Sequence, residues 1–179
     1  LSVPFLNVHV QLWFREMRRV VATVEEHPAL KLSDDVSDVD RHHMLPVINC
    51  RDCGATGWAS RQNDDDFIAI NSLREFYADF FAGDSAICTL IPVLDFPEGT
   101  DEQHRYYLCP ECMKLNQRES CSVCGKTNQI KVLYDRPFAG DSSGHQQNTC
   151  PVCGSKGGMT FIGARNSTLI SAGISEIFA

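Results

Sequence analysis

Eight of the nine cysteines in this chain stand in four Cys-x-x-Cys pairs: Cys50/Cys53, Cys109/Cys112, Cys121/Cys124 and Cys150/Cys153. Such a turn presents two sulfurs to one metal ion without strain, and zinc takes four tetrahedral ligands, at about 2.3 Å for sulfur. Two turns close one site, so four turns make two closed sites with no ligand left over. A glycine follows three of the pairs, as Cys53-Gly54, Cys124-Gly125 and Cys153-Gly154, and lets the turn's amides approach the sulfurs. A disulfide framework fits less well: nine thiols leave one unpaired, and repeated Cys-x-x-Cys pairs suit metal binding in a reducing cytosol. The expected cofactor is therefore two Zn2+ ions held by all eight cysteines, and the expected location is cytoplasmic.

The spacing alone leaves the pairing of the turns open. Cys109, Cys112, Cys121 and Cys124 are close enough in sequence to form one compact ribbon, with Cys50, Cys53, Cys150 and Cys153 joined across a long insertion. The alternative is two successive ribbons, Cys50/Cys53 with Cys109/Cys112 and Cys121/Cys124 with Cys150/Cys153. The nested form is favoured because closing a short loop costs less entropy. Iron–sulfur clusters also use four cysteines, but knuckles with trailing glycines fit zinc better. A redox dithiol would need a free pair at a helix start. Four-sulfur sites have no open coordination position and are structural rather than catalytic. Cys88, in the apolar run AICTLIPVL, reads as a small core residue.

The chain has 179 residues, 43% of them hydrophobic, enough for one ordinary domain or two small ones. No run of 18 apolar residues marks a membrane span. The first residues carry an early proline and an amphipathic pattern where a signal peptide would have a charged head and an apolar run. The abrupt ends suggest a piece of a longer protein. The formal charge is −7. Two zinc ions on eight thiolates take this to about −11, which argues against a surface that binds nucleic acid over its whole area.

Residues 7–26 carry an apolar stripe at helical spacing, Leu12, Trp13, Met17, Val20, Val21 and Val24, ended by His27-Pro28. Residues 33–40 read as an acidic loop. Residues 44–49 and 56–60 read as strands flanking Cys50 and Cys53. Three acids, 64–66, precede a helical pattern that Gly83 stops. Residues 87–94, 105–108, 129–134 and 159–162 are strand candidates, and a last helix is expected over 168–178. The fold class is α+β: small zinc-ribbon-type β-hairpins stapled by two four-cysteine sites, with flanking helices. The parts are an N-terminal helix and acidic linker (1–43), a zinc-binding region (44–163) and a C-terminal helix (164–179). On this reading sulfur coordination, more than apolar packing, makes the middle of the chain solid.

The sequence has no Gly-x4-Gly-Lys-Ser/Thr phosphate loop, no His-Glu-x-x-His and no Gly-x-Ser-x-Gly. The six histidines show no ligand spacing with one another. Catalysis is therefore not assigned to these residues.

Three stretches, HVQLWFREMRRVV, NCRDCGATGWAS and CPVCGSKGGMTFIGARNSTLISAGISEIF, together resemble a region of large bacterial DEAD/DEAH-box helicases that lies between the two motor lobes. The resemblance implies a structural zinc domain of an ATP-dependent helicase, contributing to nucleic-acid engagement or lobe positioning. It implies DNA or RNA as partner, together with the rest of the helicase chain, and no membrane. ATP, Mg2+ and ATP hydrolysis would belong to the parent protein. Arg165, just before the expected last helix, is placed to meet phosphate. Lys126 and Lys131, with Lys114 and Arg118, flank the central knuckles as a local basic patch, and Tyr106, Tyr107 and Trp58 are candidates for base stacking. The alternative is a zinc-ribbon protein-interaction module with no nucleic-acid role, which the acidic balance favours.

Overall fold

A computed structural model describes residues 20–37, 40–138 and 149–161. The described chain is built mainly of antiparallel strands with one α-helix: β1 (Val20–Thr23), β2 (Leu30–Leu32), β3 (Met44–Cys50), β4 (Thr56–Gln62), β5 (Ile68–Ala69), α1 (Leu73–Ala82), β6 (Ile87–Pro92), β7 (Arg105–Cys109), β8 (Lys114–Asn116), β9 (Ile130–Asp135) and β10 (Met159–Phe161). The strands run in the order β2-β1-β3-β4-β6-β9-β7-β8, with β10 beside β3 and β5 beside β4. The strands expected around the cysteine pairs all form, within a residue or two of the expected ends.

The sheet curls back on itself. β5 pairs with β4, Arg61 opposite Ala69. On its other side the same segment meets β8: Ile68 N donates to Met113 O at 2.8 Å, Leu115 N donates to Asp66 O at 2.9 Å, and Phe67 bridges Lys114. The ring β4-β6-β9-β7-β8-β5 is thereby closed and encloses an interior, while β2 and β10 remain at edges of the sheet. Trp58, Ile68, Leu90, Leu108, Met113, Leu115 and Val132 fill one core, with Cys88 among them. A second core lies under α1, where Phe76 and Phe80 meet Phe161, their ring centroids 5.9 and 4.5 Å from its own. Cys50 and Cys150 belong to this second core. Apolar packing is thus extensive in the middle of the chain, because a curled sheet brings successive inward-facing positions together.

The helix expected over 7–26 does not hold at its C-terminal end. Residues 7–19 lie outside the described residues, but Val20–Thr23 is a strand, with Val21 opposite Pro46 of β3. β-branched Val20 and Val21 suit a pleated, buried surface better than a helix. His27-Pro28 sits in the β1–β2 hairpin, where Thr23 N donates to Ala29 O at 3.1 Å. The expected last helix, 168–178, also lies outside the described residues; the one helix seen among the described residues, α1, lies between β5 and β6 in sequence.

The acids 64–66 do not open α1. They form the β4–β5 turn, where Asn63 Oδ1 accepts from Asp65 N and Phe67 N at 3.1 and 2.9 Å and Asp66 takes φ 62°. The helix starts further on, where Ser72 Oγ accepts from Glu75 N at 3.4 Å, the first half of a capping box. Gly83 ends it in the left-handed conformation, φ 74°, as expected. Arg61 of β4 fastens the helix by ion pairs to Asp79 and to Asp84.

Candidate metal centres

Each centre is two turns at the ends of strands. In the first, Cys50 ends β3 and its turn runs to Cys53, while Cys150 and Cys153 come from the segment that leads into β10. Three of the four knuckles share one geometry. Cys50 N donates to Ala55 O at 2.8 Å and Gly54 N to Cys50 O at 2.9 Å; both contacts recur for Cys121 with Lys126 and Gly125, and for Cys150 with Ser155 and Gly154, all at 2.9 Å. Gly54, Gly125 and Gly154 take φ 76°, 72° and 72°. A left-handed residue is what turns the chain after the second sulfur, and glycine adopts it without penalty.

The fourth knuckle reaches the same shape without glycine. Met113 N donates to Cys109 O at 2.9 Å, and Met113 takes φ 54°. Its side chain is buried in the barrel core. The left-handed backbone is unfavourable for methionine by about 1–2 kcal/mol, and burying the thioether side chain offsets it by about 1.5–3 kcal/mol.

The four sulfurs of Cys50, Cys53, Cys150 and Cys153 lie within 4.8 Å of one another, as do those of Cys109, Cys112, Cys121 and Cys124. The nested pairing is therefore the one the fold makes. Cys50 Sγ is 3.8 Å from Cys153 Sγ, Cys53 Sγ is 3.7 Å from Cys150 Sγ, and Cys109 Sγ is 3.7 Å from Cys124 Sγ. A tetrahedron with 2.3 Å metal–sulfur bonds has sulfur–sulfur edges of about 3.8 Å, so the two groups fit a single four-coordinate ion each. Thiolates around a multi-iron cluster bind different irons and stand further apart.

Backbone amides prepare the sulfurs. Burial pushes the Cys50 thiol up, but the N–H groups of Cys53 and Asp52 outweigh it and hold Cys50 at about 7. Cys121 sits at about 6, where burial is likewise overcome by the amides of Cys124 and Val123. Their neighbours move the other way: Cys112 is pushed to about 12 by the Cys124 thiol and by burial, and Cys150 to about 12 by burial. Four crowded thiols cannot all ionise by themselves, and a divalent cation is what allows it.

A latch that sequence reasoning missed ties the two halves of the first centre. Arg51 Nη2 donates to Gly157 O at 2.8 Å, Arg51 N to Gly158 O at 3.0 Å, and Ser155 Oγ to Asp52. Gly158 packs closely here: a Cβ would lie 2.8 Å from Ser155 Oγ and 3.1 Å from Cys50 Sγ, so a side chain would displace the Ser155 hydroxyl. None of these residues carries a motif, so only the folded geometry reveals them.

The remaining candidates separate. Lys126 is paired with Glu111, which raises its pKa, and Lys131 Nζ lies 2.6 Å from Asp95 Oδ1 with the same effect. Both lysines thus have a carboxylate partner at the surface. Trp58 is 1% exposed and cannot stack on a base. Tyr107 packs edge-on to Phe96, and Tyr106 lies 4.6 Å from the Tyr134 ring while staying half-exposed. Arg165 and His145 lie outside the described residues. Cys88 is the core residue expected, 0% exposed, its thiol pushed to about 12 by burial. His42 and His43 are exposed, and His43 Nδ1 lies 3.0 Å from Pro110 O, which ties β3 to the second centre. A polar network also went unforeseen: Tyr134 Oη donates to Gln62 Oε1, Arg136 Nη2 donates to the same oxygen at 2.8 Å, and Gln62 Nε2 donates to Asp66 Oδ1 at 2.6 Å.

No helix among the described residues is long and apolar enough to cross a membrane. In comparisons with family models, curated proteins and solved structures, nothing matches this chain.

Proposed function

We propose that this chain is a structural zinc-binding accessory domain of an ATP-dependent DEAD/DEAH-box helicase, helping to engage a nucleic-acid strand or to position the motor lobes. Two zinc ions staple zinc-ribbon-type hairpins onto a closed sheet. The observation that carries the reading is the pair of complete four-sulfur centres. With every coordination position filled by protein sulfur, neither centre has room for water or substrate, so the domain acts through its shape and surface. The helicase assignment rests on the three stretches of similar sequence. Catalysis of ATP hydrolysis with Mg2+ would lie in the parent protein's motor lobes.

The reading is tested on the gene. An ATP-binding phosphate loop and an acidic metal-binding box encoded in the same reading frame support it, and a frame without either refutes it. A protein-interaction module without nucleic-acid contact is the second reading. The observations that favour it are the net charge of −7 and two knuckle tips that carry exposed valines, Val123 at 58% and Val152 at 48%.

A further inference from the structure

A groove of about 480 Å³ opens beside the second metal centre, between β8, the 117–122 connection and the β4–β5 turn. Tyr106, Lys114, Asn116, Arg118, Ser120 and Ser122 line it. Its wall is built, not incidental. Asn116 is buried, and every polar atom of its side chain is engaged: Nδ2 donates to Lys114 O at 3.1 Å and to Gln129 Oε1 at 2.7 Å, and Oδ1 accepts from Ser122 N at 3.1 Å and Ser122 Oγ at 3.0 Å. Gln129 Nε2 in turn donates to Arg118 O at 3.2 Å. The far end of the connection is pinned by Cys121 in its metal centre.

The charges in this groove differ from those around it. Lys126 and Lys131 are each paired with a carboxylate. No ion pair among the described residues engages Lys114 or Arg118. Lys114 Nζ gives one donor to Asp65 O at 2.7 Å and lies 4.6 Å from the Phe67 ring centroid, which leaves two of its three donors. The one carboxylate in the lining, Asp66, is bonded to Gln62. Two cations, the exposed Ser120 hydroxyl and a partly buried aromatic ring together match a phosphate joined to a flat ring.

We infer that this groove binds one nucleotide unit, its phosphate on Lys114 and Arg118 and its base against Tyr106. The inference rests on the strand-engaging part of the proposed function and moves the contact from Lys126 and Lys131 to Lys114 and Arg118. The chemistry is shared by a single strand and a free mononucleotide.

The test is fluorescence anisotropy of a labelled oligothymidylate of roughly 12 nucleotides, titrated with the zinc-loaded 179-residue chain at low and rising salt. One neutralised phosphate predicts a log–log salt slope of about −0.7 for a single strand. Lys114→Glu and Arg118→Glu each weaken binding roughly tenfold or more and flatten the slope, while Lys126→Glu and Lys131→Glu, equal in charge change, leave it within about twofold. Tyr106→Leu, which keeps the packing on Tyr134, weakens binding roughly tenfold with an unchanged slope. Displacement of the oligomer by thymidine monophosphate at equal nucleotide concentration makes the free nucleotide the ligand; failure of the monomer to displace it makes the strand the ligand, and both support the groove. Equal weakening by all four charge reversals, or no binding at low salt, overturns it. The gene test decides the helicase reading independently of either result.

Discussion

Met113 offers a test of how the fourth knuckle is made, because its glycine and alanine variants should fall in an inverted order. Both Met113→Ala and Met113→Gly remove a side chain that is 7% exposed in the barrel core, a loss of about 2–5 kcal/mol. They differ in the backbone. Alanine keeps a Cβ at φ 54° and so retains a strain of about 1–2 kcal/mol. Glycine relieves that strain but frees the unfolded chain, at a cost of about 0.4–1 kcal/mol. Met113→Gly should therefore be more stable than Met113→Ala by about 0.5–1 kcal/mol, the reverse of the order at an ordinary position. Gly125→Ala isolates the backbone contribution, since nothing lies within 4 Å of a Cβ added there; it should destabilise by about 1 kcal/mol. The assay is urea unfolding of the zinc-loaded protein under reducing conditions, at one free-zinc concentration because metal binding is linked to folding. A Met113→Ala protein as stable as Met113→Gly would refute the argument that the knuckle demands a left-handed residue.

Elemental analysis of anaerobically purified protein should return two zinc ions per chain, falling to one in Cys53→Ser or in Cys124→Ser, since each of these removes a ligand from one four-sulfur group. Gly57→Ala should destabilise by about 1–3 kcal/mol in thermal or urea unfolding, because its Cβ would sit 2.2 Å from Leu90 O across the β4–β6 pairing. Cys88 should resist iodoacetamide in the folded protein. Its pKa is raised from 9.0 to about 12, so below pH 9 both states are protonated, and above it only the unfolded thiol ionises. Stability then falls with rising pH by about 1.4 kcal/mol per unit, and Cys88→Ala should flatten that fall.

The two four-cysteine groups were legible because their signal is local and chemical. A Cys-x-x-Cys turn specifies its own conformation, and loop-closure entropy correctly chose the nested pairing. The strands of the barrel wall were legible as short β-branched runs, and Gly83 as a helix stop. What failed was long-range. Val20 and Val21 fit the helical stripe and, being β-branched, a strand as well, and only their position against β3 chooses between them. The acids at 64–66 carry the right charge for a helix N-terminus, but Asn63 captures the following amides first. The ion pairs of Lys126 and Lys131 were not visible because Glu111 and Asp95 are remote from them in sequence: Asp95 is 36 residues from Lys131. The missing glycine after Cys112 was visible, yet nothing in the sequence says that Met113 is anchored by a barrel core assembled from β4, β6, β7, β8 and β9.

The two centres are alike in chemistry and unlike in what they hold. The second links Cys109 to Cys124, 15 residues apart, on a hairpin that β7 and β8 already form. The first links Cys50 to Cys153, 103 residues apart. Treated as chain cross-links, loops of these lengths restrict the unfolded state by about 3 and about 4.7 kcal/mol. Their local consequences diverge further. An ion lost from the first centre would release the segment that carries β10, whose Phe161 completes the aromatic cluster on α1 and whose Met159 pairs with Cys50. Loss of the second frees mainly the 117–126 connection and with it the groove wall. Hydrogen exchange should therefore respond differently to the two serine variants: Cys153→Ser should deprotect the amides of β10 and of the facing end of β3, leaving β7 and β9 intact, whereas Cys124→Ser should deprotect Ser122 and its neighbours and leave β10 protected. Uniform loss of protection in both variants would mean that the barrel core does not stand without its sulfurs, and that packing is the weaker partner after all.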